Sequence, residues 1–112
     1  MTTQRVVGVE VLTVTDCPHR SLTLGRLRLA LDRIGLTGAA VTERAIDDPT
    51  EAIEAGMHGS PTVLIDGQDP FTASGTEASV SCRLFHTPTG YDGAPSVDDF
   101  VAALAVLGCG RR

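Results

Sequence analysis

Apolar positions along the chain fall into blocks whose period changes from block to block, and the changes mark out the elements. The run at 6–12, Val-Val-Gly-Val-Glu-Val-Leu, is β-branched and nearly continuous, as expected of a central strand covered on both faces. At 18–34 the apolar residues Leu24, Leu27, Leu31 and Ile34 recur at helical spacing, with Arg26, Arg28, Asp32 and Arg33 between them, and Gly35 closes the helix. A second strand is expected at 39–46, where Val41 and Ile46 are apolar while Glu43 and Arg44 mark a wet side. Asp48-Pro49-Thr50-Glu51 combines a capping aspartate, a first-position proline and a third-position glutamate, so a short helix starts there and stops at Gly56.

A third strand at 60–67 opens on Pro61, which a strand tolerates at its first residue, and ends in a turn. The stretch at 68–79 is polar, apart from Pro70-Phe71. A fourth strand is expected at 80–85, with Val80, Cys82 and Leu84 on one face. Residues 87–95 read as a turn region. Ser96-Val97-Asp98-Asp99 caps a last helix whose core stripe is Phe100, Val101, Leu104 and Leu107, and 109–112 read as a frayed tail. The order is β-α-β-α-β-β-α in a single domain spanning 1–112, with its core at about 6–107. Short βαβ units join parallel strands, and the last two strands should pair antiparallel. The expected architecture is α/β: a four-stranded mixed sheet with helices on both faces.

Composition narrows the function classes. The net charge of −5 argues against a nucleic-acid footprint, and one Tyr, three Phe and no Trp leave no stacking platform for bases. All nine basic residues are arginine, which excludes a Walker-A phosphate loop and any Schiff-base lysine mechanism. No segment approaches a membrane span, and the N-terminus lacks the order of a signal peptide, so the expectation is a cytoplasmic protein with no membrane partner. Three cysteines without Cys-x-x-Cys spacing suggest neither a disulfide framework nor a structural zinc site, and no cofactor is expected.

The candidate chemistry lies at 13–21, where the first apolar run ends in Asp16-Cys17-Pro18-His19-Arg20 and the helical pattern begins. Pro18 suits the first helical position, which would put Cys17 near the N-cap. Unpaired backbone N–H groups and the positive end of the helix dipole favour an anion there, and the thiolate is both the nucleophile and the soft-metal ligand. The bland alternative is a small buried cysteine in a strand–helix turn. Cys82 is a half-buried strand residue, a resolving thiol for Cys17, or its partner in a two-thiolate site for Hg(II), Cu(I) or Zn(II). Cys109 is incidental.

The element order, with a cysteine after the first strand and a proline before the third, resembles the thioredoxin fold. Cys17-Pro18-His19 resembles the opening of the Cys-Pro-His-Cys motif of DsbA-type oxidoreductases, and Gly59-Ser60-Pro61-Thr62 resembles the thioredoxin-family cis-proline loop. More narrowly, Cys17-Pro18-His19-Arg20, Gly59-Ser60-Pro61-Thr62, Asp69-Pro70-Phe71 and Ser81-Cys82-Arg83-Leu84 are similar to small bacterial thioredoxin-like proteins sometimes labelled alkylmercury-lyase-like. The resemblance implies Cys17 as nucleophile, with Pro18, His19, Arg20, Ser60 and a cis Pro61 on the substrate side. His19 would stabilise the thiolate or face solvent. Arg20 stands where a dithiol oxidoreductase has its second cysteine. It would stabilise the thiolate, meet an anionic thiol, pair with Asp16, or simply be solvated. His58 reads as a loop histidine.

Three readings follow. The first is a thiol-disulfide oxidoreductase whose partners are protein or low-molecular-weight thiols and disulfides. The second is a soft-metal or organomercurial thiol-binding protein, and the third a non-catalytic interaction module.

Overall fold

In the computed structural model, which describes residues 8–36, 38–72 and 76–109 (106–109 through their backbone alone), the first strand is the centre of the fold. Strand β1 (Gly8–Thr13) pairs in parallel with β2 (Ala40–Ala45), setting Val11 opposite Glu43. On its other edge it pairs antiparallel with a strand at Thr62–Ile65, setting Val11 opposite Val63. Between β1 and β2 the chain runs through helix α1 (Arg20–Arg33); helix α2 (Pro49–Ala55) follows β2.

Two short strands flank Pro61: β3 (His58–Ser60) and β4 (Thr62–Ile65). Beyond them come β5 (Ser79–Cys82), a hairpin of β6 (Phe85–Thr87) and β7 (Gly90–Asp92), and helix α3 (Val97–Cys109). The protein is thus mixed α/β, with three helices, a three-stranded mixed sheet β2-β1-β4 and two small two-stranded sheets among the described residues.

Successive side chains of a strand point to opposite faces, and β1 uses both. Val9 and Val11 pack with Leu27, Ala30 and Leu31 of α1, Val63 and Ile65 of β4, and Phe100 and Leu104 of α3. Leu12 joins Ile46, Ala52, Met57 and Leu64 in a second cluster around α2. Leu27, Leu31 and Phe100 are fully buried, each contributing about 1.5–3 kcal/mol of transfer free energy. Helix α2 forms as its sequence dictates: the Asp48 carboxylate accepts the Thr50 N–H at 3.1 Å, Pro49 is the first residue, and Gly56 ends the helix at φ 78°.

Four expectations are corrected. Helix α1 starts at Arg20 with His19 as its cap, so Cys17 precedes the helix. The cause is a turn at 14–17, closed by the Cys17 N–H on the Val14 carbonyl at 3.2 Å, with Asp16 in the left-handed region at φ 60°. The segment expected at 80–85 is broken at Arg83-Leu84, and its first part does not join β4. Instead β5 runs parallel to β3, with Ser60 opposite Cys82, because Arg83 turns inward to an ion pair. Part of the expected turn region at 87–95 forms the second arm of the β6–β7 hairpin. Helix α3 continues through Cys109, into the expected tail. Val6, Val7, the Leu107 side chain and residues 110–112 lie outside the described residues.

Candidate functional site

The turn carrying Cys17 is fastened on three sides by contacts that reach across the fold. From β3, the Ser60 hydroxyl accepts the Val14 N–H at 3.0 Å. Beyond β2, Asp47 accepts both the Thr15 N–H at 2.8 Å and the Thr15 hydroxyl at 2.7 Å. Those two bonds, the hydroxyl's first, outweigh the small desolvation and hold the Asp47 carboxyl below its ordinary range. From the β7–α3 connection, Gly93 lies against the His19 ring. A Cβ built on Gly93 would fall 2.3 Å from His19 Nδ1, so a side chain there would displace the imidazole. Arg26 of α1 secures the same connection, donating to Asp92 at 2.9 Å and to the Ala94 carbonyl at 3.1 Å. Its hydrogen bond, then the Gly93 N–H, lower the Asp92 carboxyl against minor desolvation; the charges of Arg26 and His19 add to the lowering.

Within this frame Cys17 is 8% exposed and lines a groove of about 570 Å³ with Thr13, Asp16, Arg20, Ser21 and Glu43. The Arg20 Nε donates to Glu43 Oε1 at 2.6 Å and a second guanidinium nitrogen meets the same oxygen, with both side chains about half-exposed. Of the alternatives open for Arg20, pairing with Asp16 is not the one observed: its partner is Glu43, a residue that the βαβ crossover brings beside the start of α1. Among the described residues, no group of three or more His, Cys, Asp or Glu is placed to hold a metal ion.

The remaining predicted residues divide. Pro18 is exposed, and His19 rests on Gly93 instead of lining the groove with Cys17. The Ser60-Pro61 peptide is cis, Pro61 is buried, and Ser60 spends its hydroxyl on the Val14 backbone. Cys82 is exposed on β5, opposite Ser60; neither it nor Cys17 is in a disulfide.

Beneath the Pro61 loop lies a polar cluster, formed by residues from three of the stretches that carry the resemblance, to which no role was assigned from the sequence. Arg83 Nη1 donates to Asp69 Oδ2 at 2.9 Å, the side chains being 11% and 4% exposed. The same guanidinium donates to the Thr72 hydroxyl at 2.7 Å and to that of Thr62 at 3.3 Å, and stacks 4.4 Å over the Phe85 ring. Asp69 also accepts the Thr72 hydroxyl, accepts the Phe71 N–H at 2.9 Å, and has His58 Nδ1 at 3.4 Å. Burial opposes ionisation of Asp69. The Arg83 and Thr72 hydrogen bonds, the Arg83 charge and the Phe71 N–H outweigh it and hold the carboxyl below its usual range. Thr62 ties the cluster to the loop, donating to the Gly59 carbonyl at 2.6 Å and accepting the His58 N–H at 3.0 Å. Gly59, at φ 113°, presses on Arg83: a Cβ there would lie 2.9 Å from the Arg83 Cβ. The available sequence signal was the presence of Asp69 and Arg83 in two of those stretches, with nothing in the sequence to pair them.

Compared with family models, with curated proteins and with solved structures, the chain matches none of them.

Proposed function

We propose that the protein is a thiol redox protein on a thioredoxin-like scaffold, with Cys17 as the nucleophile. The observation that carries the reading is the position of Cys17 in a groove shared with the Arg20 guanidinium, at the turn between β1 and α1. The parallel β1–α1–β2 unit, β4 antiparallel to β1, and α3 packed beside α1 on one face support the scaffold reading. A fourth strand next to β4 is missing from that pattern among the described residues.

In the proposed step the Cys17 thiolate attacks a disulfide R–S–S–R′, forming a mixed disulfide with RS and releasing R′S⁻. A low-molecular-weight thiol then attacks the RS sulfur and Cys17 leaves as thiolate. Alternatively, Cys82 attacks the Cys17 sulfur and RS⁻ leaves. The partners are protein or low-molecular-weight disulfides. Arg20, whose carboxylate partner is half-exposed, is available to an anionic disulfide entering the groove.

One observation favours a second reading, an interaction module without turnover: Cys17 is almost wholly covered, and a thiol has to be reached to react. Incubation with glutathione disulfide, read by intact mass and peptide mapping, separates the two. The redox reading expects one glutathionyl group on Cys17 of the native protein, absent in Cys17→Ser. Loss of that adduct to an internal disulfide, abolished in Cys82→Ser, would identify Cys82 as the resolving thiol. A Cys17 that reacts only after unfolding would overturn the redox reading and leave the interaction module.

A further inference from the structure

A second groove, away from the Cys17 turn, has the size and lining of a small-molecule site. It encloses about 520 Å³, within the roughly 300–1,000 Å³ of pockets that take small ligands. Phe71 and Phe85 form its floor, Leu84 its rim, and Ala102, Ala103 and Asp99 of α3 its wall. The floor is rigid, because the Phe71 ring meets Phe85 edge-on at 5.9 Å and Phe100 edge-on at 5.5 Å. Ala102 and Ala103 keep the helix wall low, and Leu84 is 64% exposed beside it.

Asp99 is the negative charge against this apolar surface. Its backbone N–H is capped by the Ser96 hydroxyl at 3.0 Å, but no cation among the described residues meets its half-buried carboxylate. Its neighbour Asp98 is 79% exposed and paired with Arg33 at 2.7 Å. The helix dipole accounts for acids in the first turn of α3. It does not account for one of them lining an aromatic groove with no cation on it among the described residues.

We infer that the groove binds a small amphipathic organic cation, its apolar body on Phe71 and Phe85 and its protonated amine on Asp99. The other polar lining group, His86, is exposed and turns its ring edge-on to Tyr91 at 5.2 Å, leaving Asp99 as the anion that selects the ligand.

The test is an amide chemical-shift titration with three probes of one shape and different charge: phenylethylamine, phenylethanol and phenylpropionate. Phenylethylamine is expected to give saturable shifts at 84–86 and 99–103. Phenylethanol should bind about tenfold more weakly, the scale of one charge-assisted contact, and phenylpropionate more weakly still. Asp99→Asn should reduce phenylethylamine to the level of the alcohol, Asp98→Asn should leave it unchanged, and Ala102→Leu should weaken all three. Melting temperatures confirm that each variant is folded. Equal affinities for amine and alcohol, an amine affinity unmoved by Asp99→Asn, or no saturable shift at these positions would each overturn the inference.

Discussion

Two arginine–carboxylate pairs of the fold behave as opposites. Arg20–Glu43 sits in the Cys17 groove with both partners about half-exposed. Arg83–Asp69 is almost dry, and the remaining hydrogen-bonding capacity of its carboxylate goes to Thr72, Phe71 and His58. An exposed pair gains little over water and is easily exchanged for another partner. A buried pair that loses one member strands a charge in a poor solvent. The first arrangement suits a residue that meets ligands, the second a residue that holds a loop in place. The two arginines thus differ in role because of what surrounds them.

The sharpest way to break the contrast is Arg83→Met, which keeps much of the volume over Phe85 and leaves Asp69 buried without its cation. A loss of about 3–5 kcal/mol in urea unfolding is expected. Adding Asp69→Asn in the same chain should recover part of it. A single variant as stable as the wild type would remove the structural role assigned to the pair.

Acid should reveal the same asymmetry with a smaller effect. The Asp69 carboxyl is lowered in the folded state, so its contribution is present above the unfolded carboxylate value of about 3.9 and is lost as pH falls through the lower folded value. Unfolding followed below pH ~4 should therefore be less steep in Asp69→Asn than in the wild type. Parallel curves would assign the acid sensitivity to other carboxylates, of which Asp47 and Asp92 are also lowered.

The smallest effect on stability is expected from Arg20→Gln, under about 1 kcal/mol. The same variant should slow glutathionylation of Cys17 while leaving its rate with a neutral disulfide nearly unchanged. An equal slowing of both would make Arg20 a packing residue of the turn, and the contrast between the two pairs would narrow.

Much of the fold was legible because its causes are local. The cap, proline and left-handed glycine of α2 lie within nine residues of each other, and the β1 run announces a strand with two covered faces. What could not be read depends on distant partners. Glu43 reaches Arg20 only because β2 lies in a particular register on β1. Arg83 keeps the alternation of Val80, Cys82 and Leu84, and the alternation rule cannot tell that its side is the inward one until Asp69 is in place. The left-handed Asp16 delayed α1 beyond Pro18, a shift invisible to a rule that places proline at the first helical position. In the candidate site, Cys17 and Arg20 line one groove because the turn and the first residue of α1 adjoin each other. The direction of His19, toward Gly93, did not follow from the sequence of the turn.

That contact has a consequence for how the chain can vary. Gly93 is not among the residues with a positive φ, so its φ does not call for glycine. The imidazole of position 19 occupies the space a side chain would take. The two positions, distant in sequence, are therefore expected to covary: a residue larger than glycine at 93 requires a smaller one at 19.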